Sequence, residues 1–247
     1  MSQLIPIVNQ PFLYINNMEV SRASATTLSV AAGQCRDSNN AIDLILSAAV
    51  TIDGAVNGYN GLDVGSFALN KWYYVHIIGD STKTNPTGAL ISLSKTAPTL
   101  PFGYDSFRHI FQWRTNGSTE FIIGNSAGNG NYRQHYWDTN IAVLSNGTAT
   151  SLTAIDLDGA VPPIENTPVI LAVAFTPATA NDKVSFAPAG STATVLQSLS
   201  GVVAAKIQTG QLKVLSKIAS STARILYINS AASGDSDVWV SGYDCYI

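Results

Sequence analysis

The stretch WYYVHII, Trp72–Ile78, decides the fold class. Apart from one histidine its residues are aromatic or β-branched, the types that suit a pleated strand. Taken alternately, Trp72, Tyr74, His76 and Ile78 point to one face, and Tyr73, Val75 and Ile77 to the other. Both faces are largely apolar, which predicts a central strand buried on both sides.

Similar signals recur outward from it. On the N-terminal side and just beyond, the expected strands are Phe12–Ile15, Thr27–Ala31, Ile42–Leu46, Ala89–Leu93, Phe107–Arg114 and Glu120–Ile123. Further on they are Ile141–Leu144, Leu152–Leu157, Val169–Phe175, Lys183–Phe186, Val202–Ile207, Leu212–Ile218, Arg224–Ile228 and Val238–Tyr243. Val195–Ser220 fits a helical face about as well as a strand. Gly201 and the β-branched pair Val202-Val203 favour strand. Many short strands with Gly, Asn and Pro between them predict an all-β chain of two β-sandwich or jelly-roll-like domains. The segment GNSAGNGN, Gly124–Asn131, has no apolar residue larger than Ala. It divides the chain into residues 1–127 and 128–247, the alternative being one long loop within a single domain.

Three turns carry a stated expectation. Asn116-Gly117 and Asn146-Gly147 supply the positive φ angles of a two-residue hairpin turn. The first would set Phe111 opposite Ile122 and Ile110 opposite Ile123. Thr209-Gly210 would pair Ile207 with Leu212, at the cost of placing Lys206 opposite Lys213.

Composition narrows the function. The chain has 247 residues and 46% hydrophobic content, enough for a sizeable core. Charged residues are 12%, against roughly 25% in an average globular protein. Net charge is −3 and no Lys/Arg cluster stands ready to neutralise a phosphate backbone, so no nucleic-acid partner is expected. The longest apolar run, Val169–Phe175, is far short of the ~20 residues of a membrane helix, so no membrane partner is expected either. The N-terminal MSQLIPIVNQP has no basic start and no long apolar stretch, so the expectation is no signal peptide. Cys35 and Cys245 are too few and too far apart for a disulfide framework or a zinc site, and two reduced thiols are expected.

Catalytic and metal patterns are fragmentary. Gly79-Asp80-Ser81 invites an esterase reading, because one hydrolase family places its nucleophile in a GDS turn; that chemistry needs a histidine base with an orienting acid, which this family normally places near the C-terminus. The histidines are His76, His109 and His135. Asp156-Leu157-Asp158-Gly159 and Asp235-Ser236-Asp237 resemble pieces of calcium loops without the remaining oxygen ligands, and turn-forming aspartates explain them better. No acidic pair points to a glycosidase. No enzyme activity, cofactor or metal is therefore expected. Tyr132, His135, Tyr136 and Trp137 form the candidate interface or glycan-binding cluster, since aromatics on a loop stack on sugars or bury at subunit contacts. The competing reading places them in the second domain's core.

Within Cys35–Gly117 lie NGYNGLD at Asn57–Asp63, WYYV at Trp72–Val75, GDS at Gly79–Ser81, and APTLPFGYD at Ala97–Asp105 with Arg108 after it. This third of the chain resembles a module of tail-fibre and other virion-associated proteins of tailed phages. The resemblance implies a β-rich, oligomeric, non-enzymatic protein: a tail-fibre, tail or capsid-attached component of a tailed bacteriophage particle. Its expected partners are copies of itself, a trimer before a dimer, and other phage virion proteins, with a host cell-surface glycan as a further expectation. Its expected location is the virion, assembled in the host cytoplasm. The alternative is a carbohydrate-binding receptor-recognition module.

Overall fold

The computed structural model describes residues 14–128, 130–192 and 197–247. Among these, every regular element is a β-strand, and the chain is all-β. It forms two compact units. The first holds the described residues of Met1–Ile122, with Ala127–Tyr132 and Ile247. The second holds Ile123–Ser126 and Arg133–Tyr246. The Gly124–Asn131 stretch is thus divided between the two units.

The first unit contains β1 (Ile15–Asn17), β2 (Val20–Arg22), β3 (Thr27–Val30), β4 (Gly33–Arg36) and β5 (Asp43–Leu46). It continues with β6 (Val50–Asn57), β7 (Gly61–Leu62), β8 (Trp72–Gly79), β9 (Gly88–Ser92) and β10 (Ser106–Arg114). A seven-stranded sheet runs in the order β10-β8-β9-β7-β6-β3-β2, beside a three-stranded sheet β1-β4-β5. All eight residues of β8 are buried, and its neighbours β10 and β9 flank it with Phe111 and Ile91 opposite Val75. Tyr73, Val75 and Ile77 have no exposed surface, nor have Phe111 and Trp113. Burial of each such side chain is worth roughly 1.5–3 kcal/mol, so this pair of strands is a large part of the unit's core. At the end of β8, Gly79 lies beneath Leu44 of β5. A Cβ there would come 2.3 Å from the Leu44 Cδ2, which only glycine avoids.

Apart from the end residues Ala127 and Tyr132, the second unit contains β11 (Gly124–Ala127) and β12 (Tyr132–Gly147), and with them β13 (Thr153–Asp156), β14 (Pro168–Thr176) and β15 (Lys183–Pro188). Then follow β16 (Gln197–Ser200), β17 (Gln208–Leu215), β18 (Lys217–Ala219), β19 (Thr222–Asn229) and β20 (Asp235–Tyr246). One sheet has the order β11-β12-β20-β14-β17. The other runs β13-β19-β15-β16, with β18 also on β19. β14 alternates strictly: Val169, Leu171, Val173 and Phe175 are buried, and the residues between them are half-exposed. The VILAVAF run is therefore a one-faced strand despite its uniformly apolar reading.

The three expected hairpin turns take other forms. After β10 the chain closes through the bridge Thr115↔Phe121, so the loop is Asn116–Glu120 and Ile122 donates to the Arg114 carbonyl. Asn116 drives this wider loop, because its Oδ1 accepts from the amides of both Ser118 and Glu120. Glu120–Ile123 is accordingly no strand. Asn146 does take a positive φ, 52°, but it sits at the end of β12 and its amide donates to Asp237. Thr209-Gly210 lies inside β17, whose partner is the distant β14, with Val173 opposite Gly210. Of Val195–Ser220, residues 195 and 196 lie outside the described residues, as do Phe12 and Leu13 of the first expected strand. The part expected as a strand at Val202–Ile207 is a loop with its apolar side chains exposed.

A charge in β8 should be fatal. Val75→Asp places an unpaired carboxylate where nothing can solvate it, at a cost of several kcal/mol, against a total stability of roughly 5–15 kcal/mol. The variant should be lost from the soluble fraction on expression; a soluble variant with an unchanged melting profile refutes the double-faced burial.

Candidate functional site

Three of the segments that carry the phage resemblance, NGYNGLD, GDS and APTLPFGYD, are separate in sequence yet come together in the first unit through hydrogen bonds and one ring stack. The anchor is Asp80, immediately after β8. The Asp80 Oδ1 accepts from the Thr82 amide at 2.8 Å and the Thr82 hydroxyl at 2.7 Å. Its Oδ2 accepts from the amides of Thr84 and Asn85, both at 3.0 Å, and from the Asn85 side-chain amide at 3.1 Å. Five donors on one carboxylate stabilise its charge, the Thr82 hydroxyl foremost, and hold its pKa down to about 2. Asn85 then reaches across to donate to the Gly103 carbonyl at 3.0 Å.

From the other side, Asp105 accepts the Ser81 amide at 2.9 Å and also the Ser81 hydroxyl. The Tyr104 hydroxyl donates to the Pro86 carbonyl at 2.9 Å. Tyr59 of the NGYNGLD loop stacks on Tyr104, with ring centroids 5.7 Å apart and planes 25° from parallel. Asn60 accepts the Ala89 amide, and Asp63 accepts the Thr99 amide. Gly103 takes φ +86°, a conformation that turns the chain here and that side chains resist. The outcome is a loop, Pro98–Asp105, fixed along its base with Phe102 fully exposed at its tip.

In this geometry Gly79-Asp80-Ser81 ties neighbouring loop segments together. The Ser81 hydroxyl donates to a carboxylate, and Asp80 is saturated by loop donors. All three histidines are buried. His76 sits in β8 with its pKa lowered to about 4 by burial, and its Nε2 lies 2.9 Å from the Ser94 carbonyl. Burial also pushes His109 well down, and lowers His135 to about 3. Among the described residues, no group of three or more His, Cys, Asp or Glu side chains is arranged to hold a metal ion. Asp156 makes a turn by accepting the Asp158 amide and pairs with Arg224. Cys35 and Cys245 are both buried and form no disulfide.

The cluster read from the sequence is split by strand alternation. Tyr132 begins β12 half-buried, His135 and Trp137 point into the second unit, and Tyr136 faces outward. His135 stacks edge-on against Trp137 at 4.2 Å and lies 5.2 Å from Tyr243, while the Trp137 indole donates to the Ala160 carbonyl. Of the four, His135 and Trp137 are core, and only Tyr136 and part of Tyr132 can meet another molecule. Phe102 was within a recognised segment, but its exposure depends on the hydrogen bonds beneath it, which no sequence spacing reveals.

No family model and no curated protein matches the chain. Among solved structures, the Bacillus thuringiensis insecticidal crystal protein Cry7Ca1 is similar over 95% of this chain and 51% of its own length, at 11% identity and a TM-score of 0.21. The chain spans about half of that protein, and a likeness this shallow carries no argument.

Two outcomes follow. Asp80→Ala should lower the melting temperature and speed amide exchange across both 80–85 and 98–105, with Asp80→Asn intermediate because its oxygen still accepts. Unchanged exchange in the 98–105 segment would disprove the coupling. For His135, a folded pKa near 3 against an ordinary 6.5 means that the unfolded chain binds the extra proton between those values. Stability is therefore full above about pH 6.5 and falls as pH drops toward 3, by up to roughly 1.4 kcal/mol per pH unit. Urea titrations of His135→Gln should show a correspondingly flatter pH dependence; an unaltered slope rules the assignment out.

Proposed function

We propose that the chain is a structural component of a tailed bacteriophage particle, a tail-fibre, tail or capsid-attached protein that acts by oligomeric assembly, with host-surface attachment as a further role. The observation that carries this reading is the loop assembly around Asp80. The separate segments that resemble the phage module are the parts that hold one another in place, and they support an exposed aromatic tip. A rigid loop presenting Phe102 suits a contact surface, because an aromatic anchor fixed in advance loses little conformational entropy on association. The burial of all three histidines also favours binding over acid–base chemistry. A surface with few charges leaves apolar and hydroxyl-rich faces free to associate, and a closed ring limits their growth.

Light scattering of the purified chain at micromolar concentration tests the assembly. The expected mass is a small multiple of the 26.1 kDa chain, threefold before twofold. Phe102→Asp should shift it toward the monomer without changing the fold. A wild-type mass near 26.1 kDa counts against self-assembly. Density for the chain in an image of an intact particle would place it.

A further inference from the structure

In the second unit, the sheet face opposite the core has an unusual relief. β14, between β20 and the edge strand β17, turns Ala172 and Ala174 outward. Register places Ala172 between Gln211 of β17 and Trp239 of β20, and Ala174 between Thr209 and Asp237. Residues paired across antiparallel strands share a face. Two rows thus cross the sheet, each low at its central alanine and higher at both ends. Gly210 adds no side chain, and Asp138–Asn140 of β12 border the side beyond Trp239. The result is an open trough of about 810 Å3, within the roughly 300–1,000 Å3 range of ligand sites.

The lining selects a ligand class. A pyranose ring has an apolar C–H face and a rim of hydroxyl groups. The trough offers an indole, a floor of methyl groups, and exposed amides and a carboxylate at its borders. Of the chain's four tryptophans, Trp72, Trp113 and Trp137 are buried, and Trp239 is the one left half-exposed. Charge refines the choice. Asp138 lines the trough and Asp237 follows on the same face, while neither Lys nor Arg is among the lining residues. The cation of β17, Lys213, is paired with Asp244. An acidic sugar would meet repulsion without a counter-charge.

We propose that this trough binds a neutral saccharide of hexose or N-acetylhexosamine units, with the Trp239 indole stacked on a sugar ring and Asp138, Asn140 and Gln211 hydrogen-bonding its hydroxyls. The ligand chemistry comes from the trough alone. The idea that the ligand is met on a host surface rests on the proposed function.

The test uses the purified full-length chain against immobilised neutral oligosaccharides of glucose, galactose, mannose and N-acetylglucosamine, beside sialylated and uronic-acid-containing ones. Saturable binding of a neutral member is expected, with a tryptophan fluorescence change on titration. Trp239→Ala should weaken binding about tenfold or more and remove the fluorescence change. Ala172→Leu, which fills the trough from an outward position, should do the same with an unaltered melting temperature. Absence of binding, preference for the acidic members, or binding that neither variant affects overturns the proposal. So does a fall in light-scattering mass for Trp239→Ala without saccharide binding, which would make the trough a subunit contact. Saccharide binding by a monomer would instead uphold the trough and count against the assembly reading.

Discussion

Backbone amides in loops must find acceptors, and this chain meets that demand with short side chains. With no helix among the described residues, much of the chain turns between strands. A buried or half-buried amide left without a partner costs about as much as a lost hydrogen bond. The acids number 13 Asp and 3 Glu, a bias that matches the task. An aspartate carboxylate reaches amides a few residues ahead, where the longer glutamate loses more rotamer freedom. Asp37 accepts from Asn39, Ala41 and Ile42, and Asp80 and Asp105 do the same around the loop tip. Asparagine serves the complementary need: among the described residues, seven of the 13 non-glycine residues at positive φ are Asn.

This division of labour changes how the acids are read. Carboxylates that look like chemistry in the sequence, such as Asp80 beside Ser81 or Asp156 beside Asp158, are occupied by local donors. Around Asp80 these donors stabilise the charge in place, and that is why its carboxyl sits below the ordinary carboxylate range. Asp138, exposed on β12 and lining the trough, belongs to a different kind of surface.

Strand existence was legible wherever the pattern was strong. β8 announced itself by two apolar faces, and β14 by its length and β-branching. Weaker elements escaped: β4 reads GQCR, and β6 reads VTIDGAVN with polar and small residues throughout. Turns failed for a physical reason. Asn-Gly specifies local dihedral angles, but strand partners are chosen by burial over long range, so Asn146 and Gly210 ended inside strands. The aromatic cluster at Tyr132–Trp137 was visible as composition, but the alternation that sends His135 and Trp137 inward was not. The trough was invisible: Ala172, Gln211 and Trp239 meet only through the pairing of three strands far apart in sequence.

Low charge also sets the terms on which this chain can recognise anything. With a net charge of −3 and 12% charged residues, long-range steering of a ligand is weak. Specificity then has to come at contact distance, from shape, stacking and directed hydrogen bonds. Those act well only on surfaces that are fixed beforehand, since ordering a mobile side chain offsets much of what a contact contributes. Both exposed aromatics of interest meet that condition by different means. Phe102 stands on a loop whose base is pinned by Asp80, Asn85 and Asp105. Trp239 stands on a strand with β14 paired along it and the core beneath. On the proposed reading, recognition then falls to apolar points held in this way, and the polar groups beside them choose the partner.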